Sequence, residues 1–399
     1  MKIIAVLEGT DARGGGFNQA LNAVLQMRRI CDGRFDFEVF TDVRSNLAHL
    51  TKLGVAATFF SFSLSDRLAR YLTSSPRLQV RFKRLGLMGR FERQLLDHGC
   101  DLAYFVTPSG SSAALQRLNY IATLWDLCHR DTPEFPEVRE FGELTVREDG
   151  LRTELAAAFA ILTDSAALAD AASRRYGIDR DRLLAMPFAP APQLESGSAK
   201  DKASVLAKYR LNEGYFFYPA QFWAHKNHIR ILQALLVLRD AGHRPAVVFA
   251  GGDQGSRCHV DDFARRNKVE GQVRFLGFVP AEDLRGLYEG SRAVVMPTYF
   301  GPTNLPPLEA WLLGRPLVYS SQCHEQAGEA ALLVDPDDAK ALADAMTACD
   351  DEATRNRLVA AGKSRLREIE EERLRAETAL LARLSQFASR RVCWPTYQA

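Results

Sequence analysis

Residues 296–318 read MPTYFGPTNLPPLEAWLLGRPLV, and the order of residue types in this stretch decides the fold. The apolar, β-branched residues Ala293, Val294 and Val295 lead into it and predict a strand. Gly, Pro, Thr and Asn then make a loop. Pro306 and Pro307 predict a helix start, because a proline in the first turn lacks only an N–H that would have had no partner. Glu309 is expected in that first turn, and Gly314 with Pro316 ends the helix before a second strand at 317–321. A strand, a small-residue loop and a helix N-terminus put backbone N–H groups and a positive dipole end at one sheet edge. That arrangement suits a phosphate or diphosphate. A carboxylate beside it suits a ribose diol, unless it serves only the helix dipole.

Working outward, 399 residues allow two domains of ordinary size, each with its own core. With 47% hydrophobic and 25% charged residues the chain reads as soluble and globular, and a net charge of +2 argues against a nucleic-acid binder. No apolar run approaches the roughly 20 residues that cross a bilayer. The opening MKIIAVLEG is read as a first strand rather than a signal peptide, since its apolar core is short and runs into Glu8. Seven scattered cysteines without a C-x-x-C spacing favour a reducing compartment, hence a cytoplasmic location, over a zinc site or disulfide framework.

Short apolar runs at 3–7, 35–41, 57–62, 102–107, 121–127, 159–163 and 183–187 alternate with helical stretches, which implies β-α-β crossovers and a parallel sheet. Gly14, Gly15 and Gly16 form a glycine loop before a helix at 17–30. Between Arg67 and Arg93, eight basic residues alternate with leucines and aromatics against Glu92 alone. This stretch reads equally as a solvated basic face or as a contact with anionic lipid. Trp125, Asp126, His129 and Arg130 cluster at a strand's carboxyl end, where α/β sheets bind ligands. Pro187, Pro190 and Pro192, followed by SGSAKD at 196–201, mark a linker. Beyond it, an aromatic strand from Tyr215 enters a loop holding Gln221, His225, Lys226, Asn227 and His228. No acidic or cysteine neighbour in sequence suggests a metal for the two histidines. The runs AVVFAGGD, ending at Gly252, and VRFLGFV, ending at Phe278 and Val279, complete a second set of strands.

Leu305-Pro306-Pro307-Leu308-Glu309-Ala310 resembles the signature E-G-F-G-L-P-P-L-E-A of the retaining family-4 glycosyltransferases. Lys226 likewise resembles the lysine of that family's G-R-x-x-x-x-K-G. The resemblance implies the α/β GT-B fold, two facing Rossmann-like, doubly wound domains with a cleft between them. It implies an acceptor domain at 1–190, a linker at 191–203, a donor domain at 204–370, and a last helix at 371–399 crossing back to the first domain. The implied activity is retaining transfer of a hexosyl unit from a nucleoside-diphosphate sugar to a glycan or lipid-linked acceptor, without metal or cofactor and without nucleic acid. Surface-polysaccharide assembly is the implied setting, with peripheral contact at the inner face of the membrane through the basic stretch.

Lys226, Asp126 and His129 are then the expected catalytic residues. Gly15, Gly16, Gln221, Gly252, Phe278, Val279, Thr303, Asn304, Leu305 and Glu309 are the expected donor-binding ones. His129 is expected either to meet the sugar or to bond within its loop. Three positions depart from the family: Gly301 replaces its first glutamate, Gln221 its arginine and Trp125 its histidine. A sugar-nucleotide epimerase of the same fold and a non-catalytic binding protein remain as rival readings.

Overall fold

The computed structural model describes residues 1–9, 15–73, 76–191, 194, 200–301 and 304–394. The chain divides into two compact units: unit 1 comprises Met1–Glu134, Val138–Phe188 and Glu371–Ala399, and unit 2 comprises Phe135–Glu137 and Ala189–Glu370.

Unit 1 is built on β1 (Lys2–Leu7), β2 (Asp36–Thr41), β3 (Ala57–Phe59), β4 (Leu102–Phe105), β5 (Asn119–Leu124), β6 (Ala160–Thr163) and β7 (Leu183–Ala185). They lie in the order β3-β2-β1-β4-β5-β6-β7, every pair parallel. Alternate residues of β1 serve opposite faces, as the two-residue strand period requires. Ile4 and Val6 join one buried cluster, with Phe91 and Phe105, and Ile3, Ala5 and Leu7 join another. The second cluster also takes Leu380, Leu384 and Phe387, from the carboxyl end of the 40-residue helix Glu352–Arg391. Trp394 packs edge-on against Phe387. Burial on both faces explains why these strands read as continuous apolar runs rather than alternating ones.

Unit 2 repeats the plan with β8 (Tyr215–Pro219), β9 (Val247–Ala250), β10 (Val273–Phe275), β11 (Ser291–Met296), β12 (Leu317–Ser320) and β13 (Leu332–Val334). Its order is β10-β9-β8-β11-β12-β13, again wholly parallel. The reversal of direction at β8/β11 is a topological switch point, where such sheets bind ligands beyond their carboxyl ends.

Two expected helix starts near the predicted site residues move. The helix after β1 spans Gly15–Cys31, so Gly15 and Gly16 are its first residues and not part of a loop; Gly14 lies outside the described residues. The helix after β11 spans Leu305–Leu312 with Asn304 as its extended N-cap residue. Glu309 therefore belongs to the second turn and not the first, because the helix begins one residue before the prolines.

Candidate active site

The carboxyl edge of sheet two gathers four loops. Gly251 N–H donates to the Gly277 carbonyl (2.8 Å), and Phe222 N–H donates to the Gly252 carbonyl (3.0 Å). These bonds bring the loops after β8, β9 and β10 side by side. Gly251 is required for this approach, since a Cβ there would lie 2.1 Å from the Ala220 carbonyl oxygen. Gln221, Gly252, Phe278 and Val279 all sit on these loops, with Phe278 exposed. The Gln221 Oε1 accepts from Trp223 Nε1 (3.1 Å).

Lys226 closes the short turn Ala224–Lys226, and its ammonium donates to Asn304 Oδ1 at 2.9 Å. The turn is held tightly. The Tyr218 hydroxyl donates to the Lys226 carbonyl (2.8 Å). Asn227, at a φ of +57° that asparagine tolerates, donates to the carbonyls of Pro297 and Pro336. His228 then starts the helix His228–Asp240, stacked on Phe222 at 4.3 Å; burial pushes its imidazole down to about 3, so it is a neutral core ring. His225 does have an acidic neighbour, contrary to the sequence reading. It is Glu137, 88 residues upstream, which accepts from both the His225 N–H (3.0 Å) and its Nδ1.

Asn304 is the hub opposite. Its Nδ2 donates to the Gly301 carbonyl (3.0 Å) and the Tyr319 hydroxyl (2.8 Å), and its N–H donates to Gln326 Oε1 (3.0 Å). Gly301 has φ +118°, and a Cβ there would meet the Asn304 side chain at 2.8 Å. The family's first glutamate would be strained at this φ and would have to displace the Asn304 amide. The helix start is also poorer in donors than expected. Pro306 and Pro307 have no N–H and Asn304's is taken, which among the described residues leaves that of Leu305. Thr303 lies outside the described residues.

Glu309 points inward, 4% exposed, and its Oε2 accepts from the Tyr288 hydroxyl at 2.5 Å. Burial pushes its carboxyl up to about 7, against the smaller opposing effect of that hydrogen bond. This corrects the picture of an open first-turn carboxylate. Oε1 is the oxygen that Tyr288 does not use.

Asp126 and His129, expected as catalytic, lie in unit 1, and both have partners within it. Asp126 pairs with Arg147 (2.6 Å) and accepts from Cys128 N–H (3.0 Å). Burial would raise its carboxyl, but Arg147 and these bonds hold it below its usual range. His129 is 1% exposed, with Nε2 against Glu148 (3.1 Å) and the Tyr176 hydroxyl (3.2 Å). Glu148 also takes Arg130 and Arg152. The loop after β5 is thereby bolted to the helix Glu143–Ala157.

Sequence reasoning missed a second cluster in unit 1. Glu8, directly after β1, accepts from the hydroxyls of Ser109 (3.0 Å) and Ser111 (3.1 Å). Glu154 accepts from Ser109 N–H (3.3 Å). Burial pushes these carboxyls up to about 7 and about 8, with a smaller upward contribution from Asp42 on Glu8 and from Glu8 on Glu154. The only cue in the sequence was a charge placed immediately after an apolar strand. Among the described residues, no three His, Cys, Asp or Glu side chains gather to hold a metal ion.

Residues 213–351 match the family model of the glycosyl transferases group 1. O-antigen chain mannosyltransferase B of Escherichia coli is 32% identical over 216 residues, 52% of this chain and 55% of the relative. The chain thus aligns with about half the length of that curated relative. Among solved structures, Anabaena Alr3699/HepE in complex with UDP and glucose superposes with a TM-score of 0.69 at 16% identity, covering 97% of this chain and all of the other. Sucrose-phosphate synthase from Thermosynechococcus elongatus gives 0.69 at 18% identity, covering 97% and 99%. At such identities the likeness is one of fold.

Proposed function

We propose, from the premise that residues 213–351 form a domain of the glycosyl transferases group 1 family, that this chain is a retaining hexosyltransferase. Its donor is a nucleoside-diphosphate sugar and its acceptor a glycan or lipid-linked glycan, in surface-polysaccharide assembly. The observation that carries the reading is the Lys226 ammonium held on Asn304 at the start of helix Leu305–Leu312, on the switch-point edge of sheet two. The E. coli relative's name supports a mannosyl unit and the polysaccharide setting.

In the proposed reaction the bond from the anomeric carbon to the diphosphate oxygen breaks, and a bond to an acceptor hydroxyl oxygen forms on the same face. The departing phosphate takes the hydroxyl proton, so no protein base is needed. Negative charge grows on the diphosphate. Lys226, assisted by Gln221 Nε2 and the Leu305 N–H, offsets it in place, which is the largest contribution a preorganised site makes. With two prolines silencing first-turn donors, the ammonium carries more of this load than in a helix with free N–H groups. The ribose diol is assigned to Glu309 Oε1, and the loops at Gly252 and at Phe278–Val279 take the base. No resident metal or cofactor enters this scheme. Lys226→Ala should lower donor turnover about 100-fold or more while leaving thermal stability nearly unchanged. A full-rate variant removes Lys226 from the mechanism. One observation favours the non-catalytic rival, the absence of an acid at Gly301; diphosphate binding without turnover on any glycan acceptor would establish it.

The acceptor is assigned to unit 1, and with it a peripheral seat on the inner face of the membrane. Helix Leu64–Thr73 turns Leu64, Leu68 and Tyr71, one stripe of its surface, to solvent at 83%, 58% and 71% exposure. Leu85, Leu87, Arg67, Arg81, Arg84, Arg90 and Arg93 are exposed nearby in sequence. Asp66 and Glu92, the acids of this stretch, are both buried, capping Ser63 and Phe91 and residues 116–118. What remains outward is apolar and cationic, the composition that binds anionic bilayers. Among the described residues no helix is long and apolar enough to cross a membrane.

A further inference from the structure

We propose that Glu137 is a positioning residue for Lys226, an inference that rests on the donor-site reading above. Glu137 lies in the segment Phe135–Glu137, which belongs to unit 2 although 88 residues separate it from His225. Phe135 packs this segment against Tyr299 (5.2 Å) and Phe300 (5.7 Å). The Glu137 carboxylate then grips the residue before Lys226 twice, through its N–H and its ring Nδ1. The same imidazole stacks on Phe300 at 3.9 Å, and the His225 carbonyl accepts from Tyr299 N–H (2.9 Å). His225 is therefore fixed at its main chain, its ring edge and its ring face.

The clamp is made by a carboxylate and is nearly dry. The Glu137 and His225 side chains are 11% and 10% exposed. Burial alone would raise the Glu137 carboxyl, but the His225 bonds hold it below its usual range. Removing the charge leaves a buried N–H and a ring nitrogen poorly paired, and the three-residue turn that aims the ammonium at Asn304 loses its upstream support. Glu137 bonds to His225, the residue before Lys226, so its effect passes through the turn that carries the ammonium.

A double-mutant cycle tests this. Affinities for UDP and for GDP would be measured by calorimetry on the full chain, for wild type, Glu137→Gln, Lys226→Ala and the double variant. The expected result is a loss of about tenfold in Glu137→Gln for whichever diphosphate binds. The double variant should bind no more weakly than Lys226→Ala, because residues acting through one group are not additive. A merely structural role would give additive losses. Additive losses, or a Glu137→Gln chain that binds like wild type, overturn the proposal. Should Glu137→Gln fail to fold, Glu137→Asp keeps the charge but withdraws it from His225, and the same cycle applies. If wild type binds neither diphosphate, the donor-site reading itself falls, and this inference with it.

Discussion

Glu309→Gln should change how stability depends on pH, and the structure gives the size. In the folded chain the Glu309 carboxyl is pushed from 4.5 up to about 7 by burial, with only the Tyr288 hydroxyl favouring its charged form. Unfolded, it ionises near its ordinary value. Between these two values the native state holds a proton that the unfolded state has released. Wild-type stability from this group is therefore fully present below 4.5 and is lost as pH rises through 7. At about 1.4 kcal/mol per pH unit, the rise from 4.5 to about 7 amounts to about 3 kcal/mol. Glutamine keeps the acceptor for Tyr288 but has no proton to lose. The variant carries a constant offset, because its amide needs a partner that the carboxyl did not. Its stability relative to wild type should nevertheless improve by about 3 kcal/mol from pH 4.5 to 8. Urea unfolding of both chains across this range, followed by tryptophan fluorescence, isolates the effect as a difference. Glu8 and Glu154 titrate in both chains and cancel. A difference that stays flat with pH would show that residue 309 is not a buried carboxyl, and the account of its surroundings would be wrong.

Restoring the family's acid by Gly301→Glu should not raise activity and should destabilise the chain by about 1–3 kcal/mol, read as a lowered melting temperature, because φ is +118° and Asn304 fills the space. The double exchange Leu68→Asp with Tyr71→Asp, on the outward stripe of its helix, should leave melting unchanged and abolish sedimentation with vesicles of anionic lipid. Retained sedimentation would move the membrane contact elsewhere.

The strand order was legible because a doubly wound sheet buries both faces, and each apolar run between helical stretches had one place to go. Strand ends were less so. The run at 121–127 stops as a strand at Leu124, where Trp125 and Asp126 turn into the loop held by Arg147. The meeting of Lys226 and Asn304 was legible for a similar reason: they follow strands that neighbour each other in the sheet, so topology alone brings them together. His129 was not, because its partners Glu148 and Tyr176 come from helices whose facing no local pattern encodes. Glu137 was hidden for the same cause, a charged residue in a proline-rich turn that reads as surface until the fold sets His225 beside it.

Gly301 shows where pattern and geometry must be read together. As a departure from a signature it suggests a missing carboxylate beside the donor sugar. In the fold it is a consequence of Asn304, whose amide reaches back to the Gly301 carbonyl while its oxygen receives the Lys226 ammonium. A glutamate at 301 would need a strained backbone and a displaced Asn304 amide, since its Cβ would lie 2.8 Å from that side chain. The Asn304 amide oxygen that receives the ammonium is a dipole and not a charge, so this bond holds Lys226 without neutralising it. Gly301 thus belongs to the loop geometry in which Asn304 holds Lys226, the group that carries most of the proposed chemistry.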